Sequence, residues 1–153
     1  MATTVTAENL TVTITESYTL NGVSYGNTMN KTYTNNGEVY QRVMAIQADA
    51  GRSSWTNIIN FGAADAAGIA DITNYKYFRI KNLDDTNFLE LRVTGTADSF
   101  FVKIKAGESF LLMDNEIDAV ASGTTIGTLT DITQIAAIAN TDGVDIEFVV
   151  VTA

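Results

Sequence analysis

The sequence predicts an all-β protein: an antiparallel β-sandwich of jelly-roll-like topology with about eight to ten strands. Apolar and polar side chains alternate with a period of two along most of the chain. Short strand-like runs recur every 8–12 residues or so, with turn residues between them. Because no long linker or repeat interrupts this pattern, we expect one sandwich domain over residues 9–153, preceded by a flexible N-terminal arm over residues 1–8.

The first third of the chain predicts a hairpin. Residues 10–15 alternate apolar side chains with Thr, which predicts a strand with one buried and one wet face. The dipeptide Asn21-Gly22 follows, and both residues tolerate the positive φ of a type I′ turn. Residues 35–37 (Asn-Asn-Gly) indicate a second turn, which leads into a strand at residues 39–46.

The middle of the chain predicts a meander. A strand is expected at residues 55–61, and the Ala- and Gly-rich residues 62–70 are interpreted as a loop with a possible short helix. Further strands are expected at residues 77–81, 88–93, 100–104 and 109–113. Turns are expected at residues 82–87, where Asp and Asn can close Asx-type hydrogen bonds, at 94–98 and at 106–108.

The last third contains one ambiguous and one clear element. Ile132, Ile135 and Ile138 have helical spacing, but the short, β-branched segment 131–139 favours a strand. Residues 144–151 predict a final strand that becomes continuously apolar. Such continuity indicates burial on both faces, so we expect a central position in a sheet.

Composition excludes several function classes. The net charge of −9 argues against binding to nucleic acid and to anionic membranes. The chain has no His and no Cys, which removes Ser-His-Asp and Cys-His catalysis as well as thiolate ligands. We see no signal peptide and no apolar run long enough to span a membrane. We therefore expect a protein that is not an enzyme, has no cofactor or metal, and is made in a reducing cytoplasm.

Two sets of residues could in principle support catalysis. Ser99 and Lys103 could form a Ser-Lys pair, but on a strand they would lie roughly 13 Å apart, so we interpret them as unrelated. Asp114, Glu116 and Asp118 could supply glycosidase carboxylates, although a solvated loop is the preferred interpretation.

Three other sets of residues could bind a ligand. Asp84, Asp85 and Asn87 could coordinate Ca²⁺, but their spacing is not that of an EF-hand and a plain hairpin turn is preferred. Residues 76–81 mix cations with aromatic residues, as nucleic-acid sites and half-buried strands both do. Aromatic side chains that could stack on sugars are placed instead in the core or at subunit interfaces: Tyr18, Tyr25, Tyr33, Tyr40 and Trp55.

Five segments carry a family resemblance: TESYTLNG (residues 15–22), EVYQRV (38–43), YFRIKNLDDTNF (77–88), VKIKAGESFL (102–111) and DGVDIEFV (142–149). They resemble virion structural proteins of tailed phages, notably those that infect marine bacteria and cyanobacteria. These segments are strand and turn patterns rather than catalytic signatures, and the resemblance covers the chain from about Leu10 onward.

The resemblance implies a small β-sandwich present in many copies on the virion. Within that group we expect a capsid decoration (cement) protein on the capsid surface, a homotrimer that contacts the major capsid protein. A tail, fibre or head–tail protein with a receptor- or glycan-binding role is the alternative, and a carbohydrate-binding module is a second one.

A possible partner-binding arm lies at the N-terminus. It consists of Ala2, Thr3, Thr4, Val5 and Thr6, and it could add a strand to the open edge of a neighbour's sheet. A frayed terminus is the competing interpretation.

Overall fold

The computed structural model describes residues 8–62, 70–71, 75–96, 99–114, 116–117 and 129–152. In this part of the chain every regular element is a β-strand. The strands are β1 (Glu8–Leu20), β2 (Val23–Asn36), β3 (Glu38–Ile46), β4 (Thr56–Gly62), β5 (Ala70–Asp71), β6 (Tyr75–Asn82), β7 (Leu89–Thr94), β8 (Ser99–Ile104), β9 (Ser109–Leu112), β10 (Glu116–Ile117), β11 (Thr130–Asp131), β12 (Gln134–Ala139) and β13 (Val144–Thr152).

Two sheets form the body of the protein. One has the strand order β3-β13-β6-β9, and the other has the order β5-β4-β12-β7-β8. Without the two-residue strand β5, each sheet has four strands, and most successive strands alternate between the sheets. This is the strand order of a jelly roll, so the predicted fold class is confirmed.

The core lies between the two sheets, because alternate residues of each central strand point inward. Strand β13 contributes Val144, Ile146, Phe148 and Val150, and β7 contributes Leu89, Leu91 and Val93 in the same alternation. Each such side chain stabilises the fold by about 1.5–3 kcal/mol relative to an exposed position.

The two elements predicted in the last third of the chain are confirmed. Strand β13 pairs with β3 on one side and β6 on the other, which is the central position expected for residues 144–151. The ambiguous segment contains strand β12, which lies between β4 and β7. The possible helix predicted within residues 62–70 falls mostly on residues outside the described ranges.

Strands β1 and β2 form a separate two-stranded sheet, which we call the hairpin arm (residues 8–36). The predicted turn closes it, with φ of 52° at Asn21 and 79° at Gly22. The arm is roughly 40 Å long at about 3.4 Å per residue. The face of residues 10–15 that was expected to be buried is only half-buried, because no second sheet among the described residues covers it.

The turn predicted at residues 35–37 is wrong. Residues 35–37 make no tight turn: β2 pairs with β1 and β3 pairs with β13, so the chain passes straight from arm to body. The Gly37 N–H donates to the Thr152 carbonyl at 3.1 Å and anchors this junction. Gly26 lies inside β2, opposite Ser17.

Candidate interaction surfaces

The hairpin arm has one apolar face. Its cross-strand pairs on this face form six successive levels, because side chains two residues apart point the same way. From base to tip the levels are Leu10–Tyr33, Val12–Lys31, Ile14–Met29, Glu16–Asn27, Tyr18–Tyr25 and Leu20–Val23.

The apolar face is open to solvent toward its tip. Tyr18, Leu20, Val23, Tyr25 and Met29 each expose between 47% and 58% of their surface. The Tyr18 and Tyr25 rings stack with centroids 5.4 Å apart and planes inclined by 16°. Monomeric soluble proteins rarely leave a contiguous strip of this kind uncovered, so the face has the properties of an interaction surface.

The opposite face of the arm is polar. It carries hydroxyl and amide side chains that bond across the two strands. The Thr13 hydroxyl donates to Asn30 Oδ1 at 2.8 Å, and the Thr11 and Thr32 hydroxyls lie 3.3 Å apart. These side chains satisfy one another's hydrogen-bonding groups across the strands. The polar face therefore has less need of a partner than the exposed apolar face.

The base of the arm is attached to the body by a few specific contacts. The Tyr33 ring lies 6.2 Å from the Tyr77 ring of β6, and the Lys76 ammonium donates to the Thr34 carbonyl. Met113 lines a depression at the arm's base together with Val12 and Ile14. These contacts are confined to the arm's first half, and its outer half carries most of the exposed apolar surface.

A second candidate surface lies on the outer face of the β4-β12-β7-β8 sheet, which we call the aromatic cleft (about 520 Å³). The Trp55 and Phe101 rings lie 5.6 Å apart there, and Phe101 is 62% exposed. The Arg92 guanidinium lies 4.9 Å from the centre of the Trp55 ring. Arg52 and Glu90 form an ion pair at the cleft's edge. Aromatic and charged groups therefore converge on one depression of ligand-binding size.

The loop between β3 and β4 positions Trp55. The Asp49 carboxylate accepts hydrogen bonds from the Ser53 hydroxyl at 2.8 Å and from the backbone N–H groups of Gly51, Ser53 and Ser54. These bonds, chiefly those from Ser53 and Ser54, lower the pKa of Asp49 from 3.8 to about 2. The Trp55 indole N–H donates to the Arg52 carbonyl at 3.1 Å, so the loop fixes the ring.

The candidate Ser-Lys pair does not converge. Both residues lie on β8, where the Ser99 hydroxyl donates to Thr94 Oγ1 at 3.0 Å. The Lys103 ammonium lies 3.7 Å from the centre of the Phe88 ring instead. Each side chain thus has a separate local partner.

The candidate carboxylates form no described site. Asp114 and Glu116 are exposed, and the Asp114 carboxylate accepts from the Glu116 N–H at 3.2 Å. Asp118 lies outside the described residues. Within those residues, no group of three or more Asp or Glu side chains is arranged to hold a metal ion.

The carboxylates of the 82–87 turn are used locally. Asp84 Oδ1 accepts from the N–H groups of Asn87 and Thr86, and these bonds lower the pKa of Asp84. The Asp85 carboxylate accepts from the Thr86 hydroxyl at 2.9 Å. The Asx-type bonds predicted for this turn are therefore present.

The aromatic residues singled out by the sequence have three different locations. Tyr18 and Tyr25 lie on the exposed arm face, and Tyr33 lies at the arm's base. Tyr40 packs at the core margin and Trp55 in the aromatic cleft. Phe101 was missed, although the dipeptide Phe100-Phe101 on an alternating strand signals one inward and one outward ring.

Residues 2–6, the predicted partner-binding arm, lie outside the described residues. The part of the chain that the structure describes holds no helix long and apolar enough to cross a membrane. Comparison with protein-family models, with curated proteins and with solved structures finds no match to this chain.

Proposed function

We propose that this protein is a structural protein of a tailed-phage virion: a capsid decoration (cement) protein that stabilises the shell of the major capsid protein as a homo-oligomer. The observation that carries the proposal is the amphipathic hairpin arm, which extends from a rigid sandwich and keeps its apolar face outside the core. A protein that clamps other subunits needs a stiff body and an attachment surface, and this chain has both.

The charge and the sequence resemblance support the same proposal. A net charge of −9 keeps a protein made in many copies soluble before assembly. The resemblance to phage virion proteins covers both the arm and the sandwich strands. An arm face that is exposed in the isolated chain would become buried on the particle.

Purified particles test this proposal. Immunogold labelling with antibodies against this protein should place many copies on the capsid surface. Particles from which the protein has been removed should lose DNA at a lower temperature than untreated particles. Absence of the protein from purified particles would overturn the proposal.

A glycan-binding role on a tail or fibre is the second candidate, and the aromatic cleft favours it. Trp55 and Phe101 offer ring surface for a sugar, while Glu90 and Arg52 could bond to hydroxyl groups. If this role is correct, labelling should concentrate on the tail, and the protein should bind host surface glycan by calorimetry. Trp55→Ala should abolish that binding, whereas Tyr40→Ala, a change outside the cleft, should not.

A further inference from the structure

We infer that the apolar face of the hairpin arm packs against the same face of a second copy, with the two arms antiparallel about a two-fold axis through the Ile14–Met29 level. This inference rests on the proposed function, because it names the partner of the surface on which that function depends. An isolated two-stranded hairpin is marginally stable in water, so an arm this long needs a partner surface.

The exposed area is sufficient for such a pair. Five large apolar side chains, each about half exposed, contribute on the order of 500 Å² per arm. Two arms would then bury at most about 1,000 Å² together, which is below standard-size interfaces and in the range of weak, reversible ones. We therefore expect a reversible dimer with a dissociation constant in the micromolar range.

The charges on the apolar face select the geometry. Among the side chains of the six levels, only Glu16 and Lys31 are charged. Glu16 lies one level nearer the tip than Ile14–Met29, and Lys31 lies one level nearer the base. A two-fold axis through Ile14–Met29 exchanges these two levels. It brings Glu16 of one copy to the height of Lys31 of the other, within reach of the long lysine side chain.

This axis superposes five of the six levels, and the Leu20–Val23 level at the tip extends past the neighbour's Leu10–Tyr33 level to the base of the neighbour's arm. The same axis places the stacked Tyr18–Tyr25 level of one arm on the Leu10–Tyr33 level of its neighbour. The two rings thereby contact Leu10 and the part of Tyr33 that stays exposed beside Tyr77. They do so twice because the interface is isologous. The polar faces remain outward, where their cross-strand hydrogen bonds stay solvated.

A parallel arrangement is disfavoured by the same two charges. In a parallel pair, or in a three-fold bundle such as the homotrimer expected from the resemblance, every Glu16 lies at one height and every Lys31 at another. Like charges then meet within the buried face, which costs binding free energy. Two-fold antiparallel pairing is the arrangement that joins opposite charges.

Sedimentation equilibrium of the purified full chain, at protein concentrations from 1 to 200 μM or so, tests the stoichiometry. We expect a monomer–dimer equilibrium. Ile14→Asp, at the centre of the apolar face, should raise the dissociation constant at least tenfold. Thr15→Asp, on the polar face, is the matched control and should leave it within about twofold. A monomer, a trimer, or a dimer insensitive to Ile14→Asp would overturn the inference.

A charge-reversal cycle tests the orientation with exposed residues that should not affect folding. Glu16→Lys and Lys31→Glu should each weaken the dimer about tenfold, whereas the double variant should regain most of the original affinity. Parallel arms would show no such rescue, because each reversal merely exchanges one like-charge contact for another. Absence of rescue would therefore overturn the antiparallel geometry.

These outcomes are distinguishable from those of the particle experiment. A chain that is monomeric in solution but present in many copies on the capsid overturns the arm pairing and leaves the proposed function standing. If the protein dimerises with the expected charge rescue but is absent from particles, the arm pairing stands and the proposed function is overturned.

Discussion

At the scale of single residues, a buried asparagine joins two loops of the sandwich. Asn82 has no exposed surface, and its side-chain amide donates to the carbonyls of Asn87 at 2.8 Å and Ile104 at 3.3 Å. Its carbonyl accepts from the Asp84 N–H at 3.0 Å. All of these backbone groups would need new partners if the side chain were removed.

Asn82→Ala should therefore lower the free energy of unfolding by about 2–4 kcal/mol, as measured by urea denaturation. Asn57→Ala is the matched control, since Asn57 is an exposed asparagine on β4, and it should change stability by less than about 0.5 kcal/mol. Equal effects of the two substitutions would contradict the role given to Asn82.

The carboxylate of Asp49 should make the Trp55 loop resistant to acid. Its pKa falls from 3.8 to about 2 on folding, so the charged form is the one that the folded loop favours. The stabilising contribution is fully present above pH 3.8 and is lost as the pH falls through about 2. Fluorescence of Trp55, the single tryptophan, should stay unchanged down to about pH 3 and shift below it.

Removing the charge should produce that shift at neutral pH. We expect the Trp55 emission of Asp49→Asn at pH 7 to resemble that of the unsubstituted protein near pH 2. Asp142→Asn, at an exposed aspartate after β12, should leave the emission unchanged. A normal spectrum for Asp49→Asn would show that Asp49 does not order this loop.

At the scale of strands and turns, the period-two pattern predicted most of the elements but not what lies opposite them. The alternation Leu10, Val12, Ile14 is of the same kind as Leu89, Leu91, Val93. The second set is fully buried, whereas the first lies on the arm. Periodicity shows which side chains share a face, but burial depends on whether the topology places a second sheet over that face.

The candidate surfaces were predictable only in part for the same reason. The alternation and the Asn21-Gly22 turn predicted a hairpin, but not that it stands apart from the sandwich. Trp55 and Phe101 are 46 positions apart in the sequence, so only the crossing of the β3–β4 loop over the sheet brings them together. Local patterns carry no information about such long-range contacts.

Within the arm, Gly26 marks a close approach between the strands. A Cβ atom at this position would lie 2.5 Å from the Glu16 carbonyl oxygen, closer than real Cβ atoms come. Gly26→Ala should therefore separate the strands and abolish the stacking of Tyr18 on Tyr25. The centroids of these two rings lie 5.4 Å apart in the intact arm. Loss of nuclear Overhauser contacts between these two rings would report the change.

Gly143→Ala is the control for that substitution. Its Cβ would lie 3.4 Å from the Ile46 carbonyl oxygen, a distance that small adjustments accommodate, and it lies in the sandwich rather than in the arm. The tyrosine contacts should persist in this variant. Their persistence in Gly26→Ala as well would contradict the register of the two strands.

At the scale of the whole molecule, the arm and the sandwich should behave as separate units of stability. Within the described ranges the arm's strands pair with each other and with no other strand, while the core is formed by the two sheets of the body. Deleting residues 15–20 and 23–28 removes six residues from each strand and keeps the Asn21-Gly22 turn. Ile14 and Met29, which already pair across the strands, would then flank that turn. Because the removed length is even, each remaining side chain keeps its face.

The shortened protein should melt within about 3 °C of the intact chain in calorimetry at low concentration, because no core contact is removed. It should also fail to dimerise and fail to bind particles, since most of the exposed apolar surface is gone. A large fall in melting temperature would mean that the outer arm packs on the sandwich in solution. In that case the apolar face would stabilise its own chain and would not be free to join copies together.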